Sequence, residues 1–254
     1  MLQQAKAAAA KAVELDSSLA EAHVALARIA TVFEWDWGVA EREYRRAIEL
    51  NPNFVPAHHF YSHYLVLMNR FEASLAEGQR ALALDPLDVG INFHLGWNYR
   101  QVRQYDQAEA QLKKTLGMNP NHTGARSVLG FVYVQQGRYQ EGIAALQKAL
   151  EQGGRDVRGN LAMAYALAGQ RDEAQKLLKQ LQAEAWHKYV SPYNIAKIYL
   201  GLGEKEQAFI WLEKAIVERD GNLADPGLNV DVIFDGLHAD PRFADLLRRM
   251  GLTP

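Results

Sequence analysis

The chain has 254 residues, 28 basic and 30 acidic side chains for a formal charge of -2, 48% hydrophobic residues and no cysteine. That composition belongs to a folded chain rather than a disordered one. It excludes disulfides, thiolate metal sites and cysteine nucleophiles, and gives no net electrostatic pull toward nucleic acid or an anionic membrane.

Taken in order, residues 2 to 16 read as a lone helix ending at Leu15-Asp16. Helix pairs follow over about 20–54, 55–88, 89–122, 123–154, 155–184 and 189–219. Each pair shows apolar residues at helical spacing on a first helix (A) and a second (B). Pro52, Pro86 and Pro120 are 34 residues apart, and so are the aromatic Trp37, Phe71, Tyr105 and Tyr139 and the small Ala40, Ser74, Ala108 and Gly142. Three residue classes thus share one period at a fixed offset. The Asn-Pro or Asp-Pro steps end each B helix, because proline cannot continue a helix and disfavours helical geometry in the residue before it. Gly96, Gly130, Ala108 and Gly142 fall where two helices must approach closely, with Leu95, Tyr99, Tyr105 and Leu112 filling the space around them. The fifth pair is irregular: Gly153-Gly154-Arg155 replaces the proline turn, and Gly142 to Ala174 spans 32 residues.

Beyond Asp220 the period stops. Asp240-Pro241, then Phe243, Leu246, Leu247 and Met250, then Gly251, bracket a short amphipathic helix with an N-cap, a first-turn proline and a terminating glycine. A cap over about 222–252, folded onto the last pair, is the expectation.

The 34-residue period, with Leu95-Gly96-x-x-Tyr99 and Leu129-Gly130-x-x-Tyr133, resembles the tetratricopeptide repeat. The resemblance covers nearly the whole chain. It implies an all-α, right-handed superhelical solenoid over 1–254, in which each pair needs its neighbour to bury its apolar face. Phe33 to Leu65, Tyr189 to Asp220 and the closing Asp240 to Leu252 further resemble repeats at the C-terminal end of multidomain bacterial regulators. Those regulators carry a Ser/Thr kinase, nucleotide cyclase or winged-helix domain. The resemblance implies a regulatory or sensory interaction module of a signalling or transcription protein, without those domains' activities.

In such a stack the A helices line a concave groove. With Leu95, Gly96 and Tyr99 turned to the core, the opposite stripe carries Phe93, Trp97, Arg100 and Gln101. One repeat earlier it carries His59, His63, Val66 and Leu67, and one repeat later Ser127, Phe131, Val134 and Gln135. Met163, Tyr193 and Lys197 continue it. The expected partner is a peptide or protein segment anchored by aromatic and arginine side chains, with Trp97 and Phe131 either open to the groove or packed between helices. The lysine and asparagine set of the chaperone-tail clamp known from some tetratricopeptide domains is not matched.

His59 and His63, four apart on one helix face, have a workable spacing for two metal ligands. With no cysteine and no carboxylate placed by sequence as a third ligand, no metal or cofactor is expected. His58 falls at a core position, and His94 completes the group of histidines. A second class of function is a small-molecule or metal sensor using His59, His63 and Trp97. Phosphate loops, nucleophile elbows and zinc-protease motifs are all missing, so no enzyme is expected. Asp231, Asp235 and Asp240 read as helix caps and solvated turns. Arg42, Arg45 and Arg46 with Glu41 and Glu43 read as ion pairs on a solvated face. Trp37 keeps the core phase, whereas Trp35 sits in a one-residue insertion and has no assigned role. The exposed alanine-rich face of residues 5–12 offers self-association, and the unpaired first helix reads equally as a natural cap or the cut edge of a longer protein. Neither nucleic acid nor membrane is an expected partner, and a cytoplasmic location is.

Overall fold

A computed structural model describes residues 2–154, 157–224 and 227–253. Arg155, with the expected start of the fifth pair, lies outside the described residues, as do two residues of the expected cap and both termini. Fourteen α-helices occur among the described residues. They are α1 Leu2–Leu15, α2 Ala20–Ile29, α3 Trp37–Leu50, α4 Val55–Leu67, α5 Phe71–Leu84, α6 Val89–Gln101, α7 Tyr105–Met118, α8 Thr123–Gln135, α9 Tyr139–Glu151, α10 Val157–Leu167, α11 Arg171–Glu184, α12 Pro192–Gly201, α13 Lys205–Glu218 and α14 Pro241–Arg249. The fold is all-helical, a tetratricopeptide-type solenoid of antiparallel pairs.

Each B helix stops where the proline steps require: α3 before Asn51, α5 before Asp85 and α7 before Asn119. The small residues sit at the closest approach inside a pair. A Cβ on Gly130 would lie 2.8 Å from Leu146 Cγ and 3.0 Å from the Gly142 carbonyl. One on Gly142 would lie 2.7 Å from the Gly130 carbonyl. Backbone therefore meets backbone there, and any side chain would force α8 and α9 apart.

The extra residue of the first pair is absorbed by a π-helical turn, Ala30–Glu34, in which the chain widens to i→i+5 before Trp35 turns left-handed at φ 57°. That turn places Trp35 and Trp37 on the edge of the first pair, facing the C-terminus. The Arg219 guanidinium lies 4.5 Å over the Trp35 ring and donates to the Phe33 carbonyl at 2.6 Å. Trp37 Nε1 donates to the Met250 carbonyl at 2.8 Å. The insertion is thus the landing site for the C-terminal cap.

Phe234, Phe243, Leu246 and Leu247 bury in one cluster with Tyr193, Leu212 and Ile216 of the last pair. The same apolar cluster also contains Leu67 of α4 and packs against Trp35, Trp37 and Met68, so the cap bridges the last pair to the first two. Asp240 caps α14 by accepting from the Arg242 amide, with Pro241 in the first turn. The Arg42, Arg45 and Arg46 run makes ion pairs with Glu43, Glu41 and Glu49. Its partly exposed setting makes each worth little.

Candidate groove site and its own occupant

The A helices α4, α6, α8, α10 and α12 pack on one another in series and so line the concave face. Between α13 and α14 the chain does not return over the convex side. Residues 227–237 run through the groove and turn into a 3₁₀ segment, Val232–Leu237. Asn229 Nδ2 donates to the Leu67 carbonyl at 2.7 Å, and Val230 packs on Val66 and Trp97. Asp231 then points into the stripe. Its Oδ1 accepts from Arg100 Nη2 at 3.2 Å, and its Oδ2 lies 3.1 Å from Lys197 Nζ and accepts from Tyr193 O–H at 3.2 Å. At the far side Arg103 reaches Asp235 at 2.8 Å.

The stripe's charges are buried beneath this segment. Arg100 and Lys197 are each 6% exposed and Asp231 is 2% exposed. Arg100 also donates to Gln101 at 2.6 Å and to Gln135 at 3.2 Å, and lies 5.1 Å over the Phe131 ring. The Lys197 ammonium lies over the same ring, 4.8 Å from its centroid. Burial alone would raise the Asp231 carboxyl, but Lys197 and Arg100 hold it at about 2. Two cations face one carboxylate, and burial accordingly lowers Lys197 against the pull of Asp231.

Trp97, Arg100, Gln101, Phe131 and Gln135 lie together around Asp231 of the same chain. Trp97 and Phe131 are buried, at 9% and 5% exposure. His59, His63 and Phe93 form a second group toward the N-terminal half of the groove. His63 stacks on Trp97 with centroids 4.6 Å apart, and Phe93 packs on His94 at 4.7 Å. Beside these groups lies a cavity of about 320 Å³, lined by both and by Ser127, Asn160, Tyr193, Asn194 and Asn222.

His59, His63 and His94 come together. One ring nitrogen of each lies within 4.8 Å of those of the other two, and all three rings are half-buried. His94 is the third partner that the sequence did not place: it comes from α6 across the α4–α6 contact. Burial, the neighbouring His63 and the Arg28 charge push His59 down to about 3. His58 is separate and packed, with Nδ1 2.5 Å from Glu77 Oε2 and Nε2 2.9 Å from the Pro52 carbonyl. Sequence reading places Asp231 among caps and solvated turns, whereas the structure buries it in the groove. It does cap the 3₁₀ segment, with a 3.4 Å contact from the Ile233 amide, but its main partners lie on α6 and α12.

Comparison with known proteins agrees with this architecture. Three models described as tetratricopeptide repeat match residues 93–157, 133–185 and 193–216. The chain therefore carries tetratricopeptide repeats, a repeat whose proteins generally mediate protein–protein interaction. Among solved structures, PilW, a type IV pilus biogenesis factor, is similar at 23% identity and TM-score 0.63, over 74% of this chain and 87% of that one. PilF of Pseudomonas aeruginosa is similar at 22% identity and TM-score 0.59, over 81% of this chain and 89% of that one. The Cut9–Hcn1 assembly of APC/C matches at 17% identity and TM-score 0.65, over 98% of this chain and 46% of that one. At these identities the likeness is one of fold. The comparison with curated proteins yields no match.

Proposed function

We propose that this chain is a non-catalytic protein-interaction scaffold that grips a peptide or protein segment in its concave groove. The observation that carries the proposal is that the A-helix stripe already seats one turn of polypeptide, residues 227–231, through a carboxylate, an aliphatic side chain and a carboxamide. The open cavity alongside offers the same kinds of contact to a guest. Phe93 supplies an apolar wall, and Asn160 and Asn194 on successive A helices offer carboxamides that pair with an extended backbone. In the regulatory setting that the sequence resemblance implies, the chain is the sensory or regulatory module of a cytoplasmic bacterial signalling or transcription protein. The exposed face of α1, where Ala5, Ala7, Ala8 and Ala10 lie open, adds a surface for self-association. A strictly monomeric species in sedimentation at high concentration would remove that last element.

Peptide display against the whole chain tests the groove. Asn194→Ala and Phe93→Ala serve as controls, since Trp97 is packed on Val66 and Val230 and its removal would disturb the fold. A convergent motif lost in both variants supports the reading, and a motif retained in both places the interaction elsewhere. A small-molecule guest is the second reading, favoured by a cavity volume of about 320 Å³ with polar side chains inside it. A metabolite that raises the melting temperature saturably would favour it.

A further inference from the structure

We propose that His59, His63 and His94 form a site for a divalent transition-metal ion, Zn²⁺ in the first instance, with a fourth coordination position open to the groove cavity. The site goes beyond the peptide-binding reading and does not depend on it. Its ligands come from two neighbouring A helices. His59 and His63 are one turn apart on α4, so their rings share a face, and His94 on α6 reaches that face from the next repeat. In the 34-residue comb His59 and His63 hold the positions of Phe93 and Trp97, and His94 that of Phe60. Three nitrogen heterocycles thus stand where the neighbouring repeats use carbocyclic or indole rings to fill the same seam.

The geometry is within reach of coordination. Ring centroids are 4.9 Å apart for His59–His63, 4.3 Å for His59–His94 and 4.8 Å for His63–His94. Tetrahedral zinc at about 2.0–2.1 Å from each nitrogen sets the nitrogens roughly 3.3 Å apart, a separation that ring rotations and shifts of about 1 Å supply. His59 Nε2 is buried with no hydrogen-bond partner. A buried polar atom left so costs on the order of 1–3 kcal/mol, and a metal ion would satisfy it. Aromatic rings hold the imidazoles in place: Phe60 stacks on His59 at 4.4 Å and Trp97 on His63 at 4.6 Å. Imidazole ligands suit zinc, copper and nickel, not calcium or magnesium. His63 and His94 also line the cavity, so the fourth ligand is water or hydroxide from that side. Three neutral ligands leave the ion's full charge uncompensated, which favours hydroxide there.

The test is calorimetric titration of the whole, tag-free chain with Zn²⁺, with thermal melts alongside. One saturable site per chain and a raised melting temperature are expected. His59→Gln and His94→Gln should each abolish it, whereas His58→Gln, whose ring pairs with Glu77 and the Pro52 carbonyl, should leave it intact. No saturable heat in the unaltered chain, or heat that survives both triad substitutions, overturns the proposal. Should a variant fold poorly, Co²⁺ added to the unaltered chain decides the matter. Intense visible bands of tetrahedral cobalt support the site, and only the weak bands of hydrated cobalt refute it.

Discussion

Asp231→Asn is the substitution that most sharply probes why residues 227–237 stay in the groove. Both carboxylate oxygens are used: Oδ1 faces Arg100 and Oδ2 faces Lys197 and the Tyr193 hydroxyl. Asparagine keeps the shape but removes the charge, and its NH₂ must face at least one group that is itself a donor. Holding the carboxyl at about 2 rather than its usual 3.8 corresponds to roughly 2 kcal/mol of stability. Breaking a buried ion pair by removing one partner costs about 3–5 kcal/mol, since the remaining charge stays buried. The retained carbonyl oxygen moderates that, so a loss of about 2–4 kcal/mol is expected in urea unfolding. Hydrogen exchange should show that protection falls first in 228–237 and α14, because releasing the segment lets Arg100 and Lys197 reach water. Adding Lys197→Met to the variant should recover part of the loss, since one buried cation then lacks a counter-charge instead of two. A loss under about 0.5 kcal/mol with unchanged exchange would refute the argument that this charge cluster holds the segment.

The difference in stability between the unaltered chain and Asp231→Asn should narrow as pH falls from about 4 to about 2. A carboxyl depressed in the fold stabilises above its unfolded pKa and loses that contribution as it protonates, and other carboxylates cancel in the difference. Urea midpoints across that range check the sign. Gly142→Ala should lower the melting temperature, at a cost of about 1–3 kcal/mol, because its Cβ would lie 2.7 Å from the Gly130 carbonyl. Gly117→Ala, with nothing within 4 Å of its Cβ, should raise it, with a stability gain of up to about 1 kcal/mol from helix propensity. Trp37→Phe keeps the ring's bulk but loses the bond to the Met250 carbonyl. It should cost about 1 kcal/mol, seen as faster exchange in α14 with the first pair otherwise unchanged.

The helices and their order were legible because they repeat. Proline, small and aromatic residues at one period fix the turns, close approaches and core positions locally, and the stripe of Trp97, Arg100 and Phe131 follows from helical geometry alone. The destination of residues 227–237 was not legible. Its contacts with α4 and α6 span 130 or more residues, as Leu67 to Asn229 and Arg100 to Asp231 do, and obey no period. Trp35 had no reading for the same reason, since its partner is Arg219 at the other end of the solenoid. His94 was visible as a residue but not as a neighbour of His59, because the offset between adjacent A helices is set by how their ridges pack. Asp231 looked like a cap, and is one, but its charge is spent on α6 and α12.

The chain's own C-terminal segment crosses the groove, and the absence of cysteine permits a direct test. Spin labels at Gln104→Cys and Gly236→Cys flank the Arg103–Asp235 ion pair, and the Gly236 position has open space for a side chain. Dipolar electron paramagnetic resonance should give one short, narrow distance between them. A long, broad distribution would mean that the segment lies outside the groove, and would contradict the account.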